Sequence, residues 1–194
     1  EINHKEKAKR IYNKIISDNS NIKNILEFGC SYGENLDKFL INKECEVVGI
    51  DINKVVKIKE HKFENFSGII GDYRSLKNFK DSFFDVSFCC SVLDHIGDEK
   101  KVFEIIKELS RISKSFYLFE PFIKGVYGDV SYFYRYQIEE KFNLKNKIER
   151  NGKQFAKSSY LWNYDYFLEE LGLNFKKESF KLHVASLGPF YYSY

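Results

Sequence analysis

At 194 residues, 43% hydrophobic and 30% charged, the chain has the composition of a globular domain with one substantial core, which excludes a disordered or fibrous chain. No apolar run is long enough to span a bilayer and no signal-peptide core follows the charged first segment, so a membrane partner is not expected. The net charge of +3, from 31 basic and 28 acidic residues, neither demands nor excludes nucleic acid, because binding can use a local basic patch.

The predicted elements run in a regular order. Ile2 to Asp18 carries Ala8, Ile11, Tyr12, Ile15 and Ile16 as an apolar stripe at helical spacing. Ile22 to Phe28 is a short apolar strand that stops at Gly29. A helix is expected over 35–40, a strand over 45–51, a helix over 54–61 and a strand over 68–72. Phe83 to Cys89 reads as a further strand. Val102, Phe103, Ile105, Ile106, Leu109 and Ile112 give 100–112 a strongly amphipathic helix, and 115–119 is a strand closed by Glu120 and Pro121. Strands alternating with helices at this pace predict a parallel sheet covered on both faces, wound by right-handed crossovers.

After Pro121 the rhythm breaks. Residues 122 to about 160 are aromatic, then charged, and read as an irregular insertion rather than another β-α unit. Regular structure is expected to return as a helix from Tyr164 to Leu171, stopped by Gly172. Phe175–Val184 and Phe190–Tyr194 then suggest an antiparallel hairpin turned at Gly188-Pro189. The expectation is an α/β chain of one domain: a doubly wound, mostly parallel seven-stranded sheet, an aromatic-rich cap over 121–163, and a C-terminal helix and hairpin over 164–194. Met is absent and Glu1 is first, so the native start is expected to lie upstream.

The chemistry concentrates at strand ends. Glu27-Phe28-Gly29-Cys30-Ser31-Tyr32-Gly33 joins a strand to a helix, where small residues let backbone N–H groups approach a ligand. It is not the dinucleotide fingerprint G-x-G-x-x-G, because Ser31 and Glu34 stand where glycines are needed, and Glu34 would repel a pyrophosphate. Asp51, at the end of the next strand, offers two acceptor oxygens where α/β cofactor sites place a carboxylate for ribose hydroxyls. The four cysteines, Cys30, Cys45, Cys89 and Cys90, show no C-x-x-C pair, so no metal is expected, and reduced thiols in a cytoplasmic protein are the plain reading.

The Glu27–Gly33 segment resembles the (D/E)-x-G-x-G-x-G motif of class I, Rossmann-like S-adenosylmethionine-dependent methyltransferases, with Ser31 in place of the middle glycine. Val48-Gly49-Ile50-Asp51 and Gly71-Asp72-Tyr73 resemble the family's second and third motifs. Phe84-Asp85-Val86 through Cys90-Ser91-Val92-Leu93-Asp94-His95-Ile96 looks like its "FDvv…s.vLeHi" segment. The resemblance covers residues 22 to about 120. It implies a cofactor, S-adenosylmethionine, leaving as S-adenosylhomocysteine. It implies that Glu27, Gly29, Cys30, Ser31, Gly33 and Cys90 hold the methionine and ribose end. Asp51 would take the ribose hydroxyls, Asp72 the adenine amino group, and Ile52 and Tyr73 would flank the ring. The fourth segment is not the (N/D)-P-P-(Y/F) of DNA-amine methylation, and no acid stands at Cys89 or Cys90 as in metal-dependent catechol enzymes. These absences favour metal-free transfer to a small molecule or a sugar.

On the acceptor side, a hydroxyl needs a general base within hydrogen-bond reach. His95 is the best-placed residue, and Glu120 could bind an amine or accept a proton. His183 alternates with Leu182 and Val184 and reads as surface-facing. Tyr132, Tyr134 and Arg135 lie where the family commonly inserts a substrate cap; aromatic faces stack on sugars and Arg135 could pair with a phosphate or carboxylate. The expected partner is a small-molecule acceptor, with nucleic acid not expected and a monomer or homodimer as the assembly. The alternatives are an RNA or protein methyltransferase, drawing on Lys5, Lys7, Lys9 and Arg10, and an inactive cofactor-binding partner subunit.

Overall fold

The structure is a computed structural model that describes residues 4–121, 152–156, 159–176 and 190–191. Helix α1 (His4–Asp18) leads into β1 (Asn24–Phe28), which is followed by a 3-10 turn at Glu34–Leu36 and the short α2 (Asp37–Leu40). Then come β2 (Glu46–Asp51), a 3-10 segment (Lys54–His61), β3 (Phe66–Ile70), a 3-10 turn (Tyr73–Asn78) and β4 (Phe84–Cys90). The 3-10 turn at Leu93–His95, α3 (Glu99–Ile112) and β5 (Ser113–Pro121) complete the alternating half.

The strands form one sheet in the order β3-β2-β1-β4-β5-β8, where β8 is Phe190–Tyr191. The first five are parallel, and β8 runs antiparallel to β5. Strand order reverses between β1 and β4, and a crevice at such a switch point is where open α/β sheets bind ligands. Alternation along each strand buries both faces. Ile25, Val47, Val86, Phe88, Tyr117 and Phe119 pack with Ile11 and Ile15 of α1 and Phe39 of α2. Leu26, Phe28, Ile50, Phe116 and Leu118 pack with α3 and with α4 (Tyr164–Glu170) on the other side.

Several side chains fasten helices to the sheet. Asp98 caps α3 by accepting from the N–H groups of Lys100 and Lys101. The Tyr117 hydroxyl accepts from Asn19 at 2.7 Å and donates to Asp18 at 3.2 Å, holding the end of α1 against β5. Arg111, near the end of α3, bonds Glu108, Asp81 and the carbonyls of Phe79 and Leu76. Gly172, with φ +64°, adopts the left-handed conformation that ends α4, and its N–H donates to the carbonyl of Glu169.

The structure differs from the prediction in several places, among them the helix expected over 35–40, whose first turn is 3-10. The 54–61 segment is 3-10 rather than α, with Asn53 capping it by accepting from the Val55 N–H and β-branched Val55 and Val56 lowering its α-helix propensity. The third strand begins at Phe66 rather than Gly68. Within the stretch read as irregular, β6 (Gly152–Ala156) and β7 (Ser159–Trp162) pair antiparallel as a separate two-stranded sheet. The predicted Phe175–Val184 arm and most of the 121–163 cap lie outside the described residues. Among the described residues, no helix is long and apolar enough to cross a membrane.

Candidate active site

A cavity of about 730 Å³ opens at the carboxyl ends of β1, β2 and β3 and beside the turn after β4. This is the size of an ordinary small-molecule or cofactor pocket. Its walls include Gly29, Asp51, Ile52, Asp72, Tyr73 and His95, six of the predicted site residues. Ser91, Val92 and Ile96 of the fourth motif segment line it too, and sequence reasoning missed only the start of α3, at Asp98 and Lys101.

The turn after β1 is shaped from its own backbone. Gly29 has φ +73°, and a Cβ there would sit 2.4 Å from Cγ2 of Val92, so only glycine lets the two turns approach. Ser31, at φ 49°, occupies the left-handed region despite its side chain. Its N–H donates to Asp51 Oδ2 at 2.7 Å, and Asp51 Oδ1 accepts from the Asn53 N–H at 2.8 Å. Asp51 thus locks the turn to the end of β2. A carboxylate has about four lone-pair positions. Two remain for a ligand in the cavity, enough for a vicinal diol.

Glu27 lies deeper, 1% exposed. Its Oε1 accepts from Asn35 Nδ2 at 2.6 Å, while Oε2 is buried with no hydrogen-bond partner. Burial pushes its carboxyl up to about 8, against the smaller opposing effect of the Asn35 bond. An open buried acceptor of this kind fits a cationic ligand group, and the methionine ammonium of S-adenosylmethionine is one. Cys30 and Cys90 are buried beside this end of the sheet, and burial raises both thiols, Cys90 to about 12, so neither is an activated nucleophile. Gly33, at φ +70°, closes the turn ahead of Glu34.

On the adenine side, Asp72 caps the 3-10 turn through the Arg74 N–H and pairs with the Arg74 guanidinium at 2.6 Å. That pairing holds its carboxyl below the usual range. Ile52, 78% exposed, presents a large apolar side chain at this wall.

The turn after β4 is built around Glu120. This residue is fully buried, and its oxygens accept from the N–H groups of Val92 at 2.9 Å and Leu93 at 3.2 Å. It is not among the residues that line the cavity, where an amine binder or proton acceptor would stand. Burial is the main cause that raises its carboxyl to about 8, with neighbouring Asp94 adding to it. From below, Trp162 Nε1 donates to the Leu93 carbonyl at 2.9 Å. The turn presents His95, 57% exposed, to the cavity, with Asp94 Oδ2 at 3.8 Å from its Nε2. Tyr132, Tyr134, Arg135 and His183 lie outside the described residues. Among the described residues, no group of His, Cys, Asp and Glu side chains is placed to hold a metal ion.

Residues 26–115 match the family model described as a methyltransferase domain. No curated protein matches the sequence. Among solved structures, the chain is similar to a SAM-dependent methyltransferase from Archaeoglobus fulgidus, at 19% identity and TM-score 0.61, with 97% of this chain and 92% of that one covered. It is also similar to 1,6-didemethyltoxoflavin-N1-methyltransferase from Burkholderia thailandensis with bound 1,6-didemethyltoxoflavin and S-adenosylhomocysteine, at 10% identity and TM-score 0.65, covering 96% and 76%. A SAM-bound amino pentose methyltransferase from Micromonospora echinaspora aligns at 15% identity and TM-score 0.52, covering 62% and 52%. The matched segment runs from within β1 to the start of β5 and takes in the turns that wall the cavity, at the switch point where open α/β sheets bind ligands. The chain thus carries a segment that matches a methyltransferase domain, within the fold of the solved S-adenosylmethionine-dependent methyltransferases.

Proposed function

We propose that this enzyme methylates an oxygen or nitrogen of a polar small molecule of the sugar or nucleotide-sugar class, with His95 as the general base. The cofactor's sulfonium supplies an electrophilic methyl group. Glu27 Oε2 holds the methionine ammonium, and Gly29, Cys30, Ser31, Gly33 and Cys90 enclose that end. Asp51 accepts from the ribose hydroxyls. Asp72 accepts from the adenine amino group between Ile52 and Tyr73.

The observation that carries the reading is His95 exposed on the cavity rim with the Asp94 carboxylate behind it. An imidazole on that rim can take the acceptor's proton as the new bond to carbon forms and the bond from carbon to sulfur breaks. Glu120 is a positioning residue in this scheme: its bonds to the Val92 and Leu93 N–H groups hold the turn on which His95 stands. Residues 121–163 close over the acceptor, with Tyr132 and Tyr134 stacking on it and Arg135 pairing with its phosphate or carboxylate. The same reading completes the sheet to seven strands through the 175–184 and 190–194 hairpin. The antiparallel placement of β8 beside β5 supports it. Two structural neighbours act on small molecules by name, a toxoflavin precursor and an amino pentose.

The test is a screen of sugar and nucleotide-sugar acceptors, followed by His95→Gln. The expected result is a fall in kcat of about a hundredfold or more, typical of a lost general base. Affinity for S-adenosylhomocysteine should stay within about twofold, since no cofactor contact is removed. Arg135→Ala and Tyr134→Ala should raise the acceptor KM. Wild-type turnover in His95→Gln would sink the base, and unchanged acceptor affinity in the other two would sink the cap.

A further inference from the structure

Two lysines act on the buried Glu27 carboxylate, Lys59 and Lys7, and only the first is already engaged. The Lys59 ammonium is bonded to Asp37 on α2. Lys7 stands in the first turns of α1, which packs against the Glu34–Leu36 turn just after the glycine-rich segment. The other cations of α1 are accounted for: Arg10 pairs with Glu6 and Lys14 with Asp18, and Lys5 and Lys9 are exposed. Lys7 is half-buried and faces the Cys90 thiol at the end of β4, yet no described carboxylate lies within 4.0 Å of its ammonium.

The end of the sheet therefore carries two unanswered groups, a carboxyl and a cation. Glu27 Oε2 is a buried acceptor without a donor. Lys7 supplies three donors without a charged acceptor. They act on one another electrostatically but are not in contact, so neither satisfies the other. A group with an ammonium and a carboxylate on one carbon answers both at once, and a buried polar group left unanswered is costly.

We propose that Lys7 binds the α-carboxylate of the cofactor's methionine part, opposite Glu27. This rests on the methyl-transfer reading above and extends it to α1, which the glycine-rich motif does not include. Lys7 then determines specificity: it rewards nucleosides that carry the amino-acid group and is indifferent to those without it.

The experiment is calorimetry on the whole chain with S-adenosylhomocysteine and with 5′-methylthioadenosine, which lacks the amino-acid group. The proteins are wild type, Lys7→Met and Lys7→Arg. Loss of one charge-assisted hydrogen bond predicts that Lys7→Met binds S-adenosylhomocysteine about ten- to a hundredfold more weakly. Its 5′-methylthioadenosine affinity should stay within about twofold, and Lys7→Arg should keep most of the discrimination. The ratio of affinities is taken within each protein, so a partly unfolded variant still reports the discrimination. Wild type binding both nucleosides while Lys7→Met keeps the wild-type ratio would overturn the Lys7 assignment alone. Wild type binding neither would overturn the methyl-transfer reading, and this inference with it.

Discussion

Two buried glutamates stand at the same edge of one sheet, and the difference between them separates support from binding. Glu27 ends β1 with one oxygen on Asn35 and the other on nothing. Glu120 ends β5 with its oxygens taken up by the backbone of the turn after β4. Burial raises both carboxyls to about 8. Their environments are alike in dielectric and opposite in hydrogen bonding, so identical residues at equivalent places carry different work. A buried carboxylate whose acceptors are filled from within is part of the scaffold, and one left open has an acceptor to offer a ligand.

Substitution should break this pairing unevenly. The largest effect is expected from Glu120→Ala, which leaves the Val92 and Leu93 N–H groups without an acceptor. A loss of about 2–4 kcal/mol in urea unfolding follows from two unsatisfied donors, one of them fully buried. Glu120→Gln, which keeps one acceptor oxygen, should lose about half as much. Stability at wild-type level in Glu120→Ala would contradict its scaffold role.

Glu27→Gln should change stability by about 1 kcal/mol or less at acidic pH, where Glu27 is protonated in the folded and the unfolded chain alike and the amide has nearly its shape. Its signature is the pH dependence. The folded-state carboxyl titrates near 8 and its ordinary value is 4.5, so between these the folded chain holds a proton that the unfolded chain has lost. Stability must therefore fall as pH rises through that window, with the contribution fully present below it. Glu27→Gln should remove the part of this decline that belongs to Glu27 and leave the part that belongs to Glu120. Urea midpoints at acidic, neutral and alkaline pH separate the two, and an unchanged slope would show that Glu27 is not the group titrating.

Much of the scaffold was legible because local patterns and topology agree. The short apolar runs of β1, β2 and β4, the stripe of α3 and the stop at Gly172 each follow from residues close in sequence. The motif at Glu27–Gly33 was legible for the same reason: positive φ and close approach to Val92 demand glycine at position 29. What escaped was non-local. Asn35 reaches Glu27 across eight positions, in no spacing that a pattern rule names. Trp162 bonds Leu93 from 69 residues away, and β6–β7 hides in a polar stretch whose pairing is set by the partner strand. Glu120 shows the limit most clearly. Its place at the crest of the sheet was readable, but its burial depends on the turn after β4 folding back over it.

The central claim is that Glu27 meets the cofactor's ammonium with its open oxygen. Calorimetric titration of S-adenosylhomocysteine at pH 7, in two buffers of different ionisation enthalpy, measures the protons exchanged on binding. A carboxyl that titrates near 8 when empty must ionise to receive an ammonium, so wild type should release about one proton per ligand bound. Glu27→Gln should bind more weakly and release none. Equal proton release by the two proteins would contradict the account.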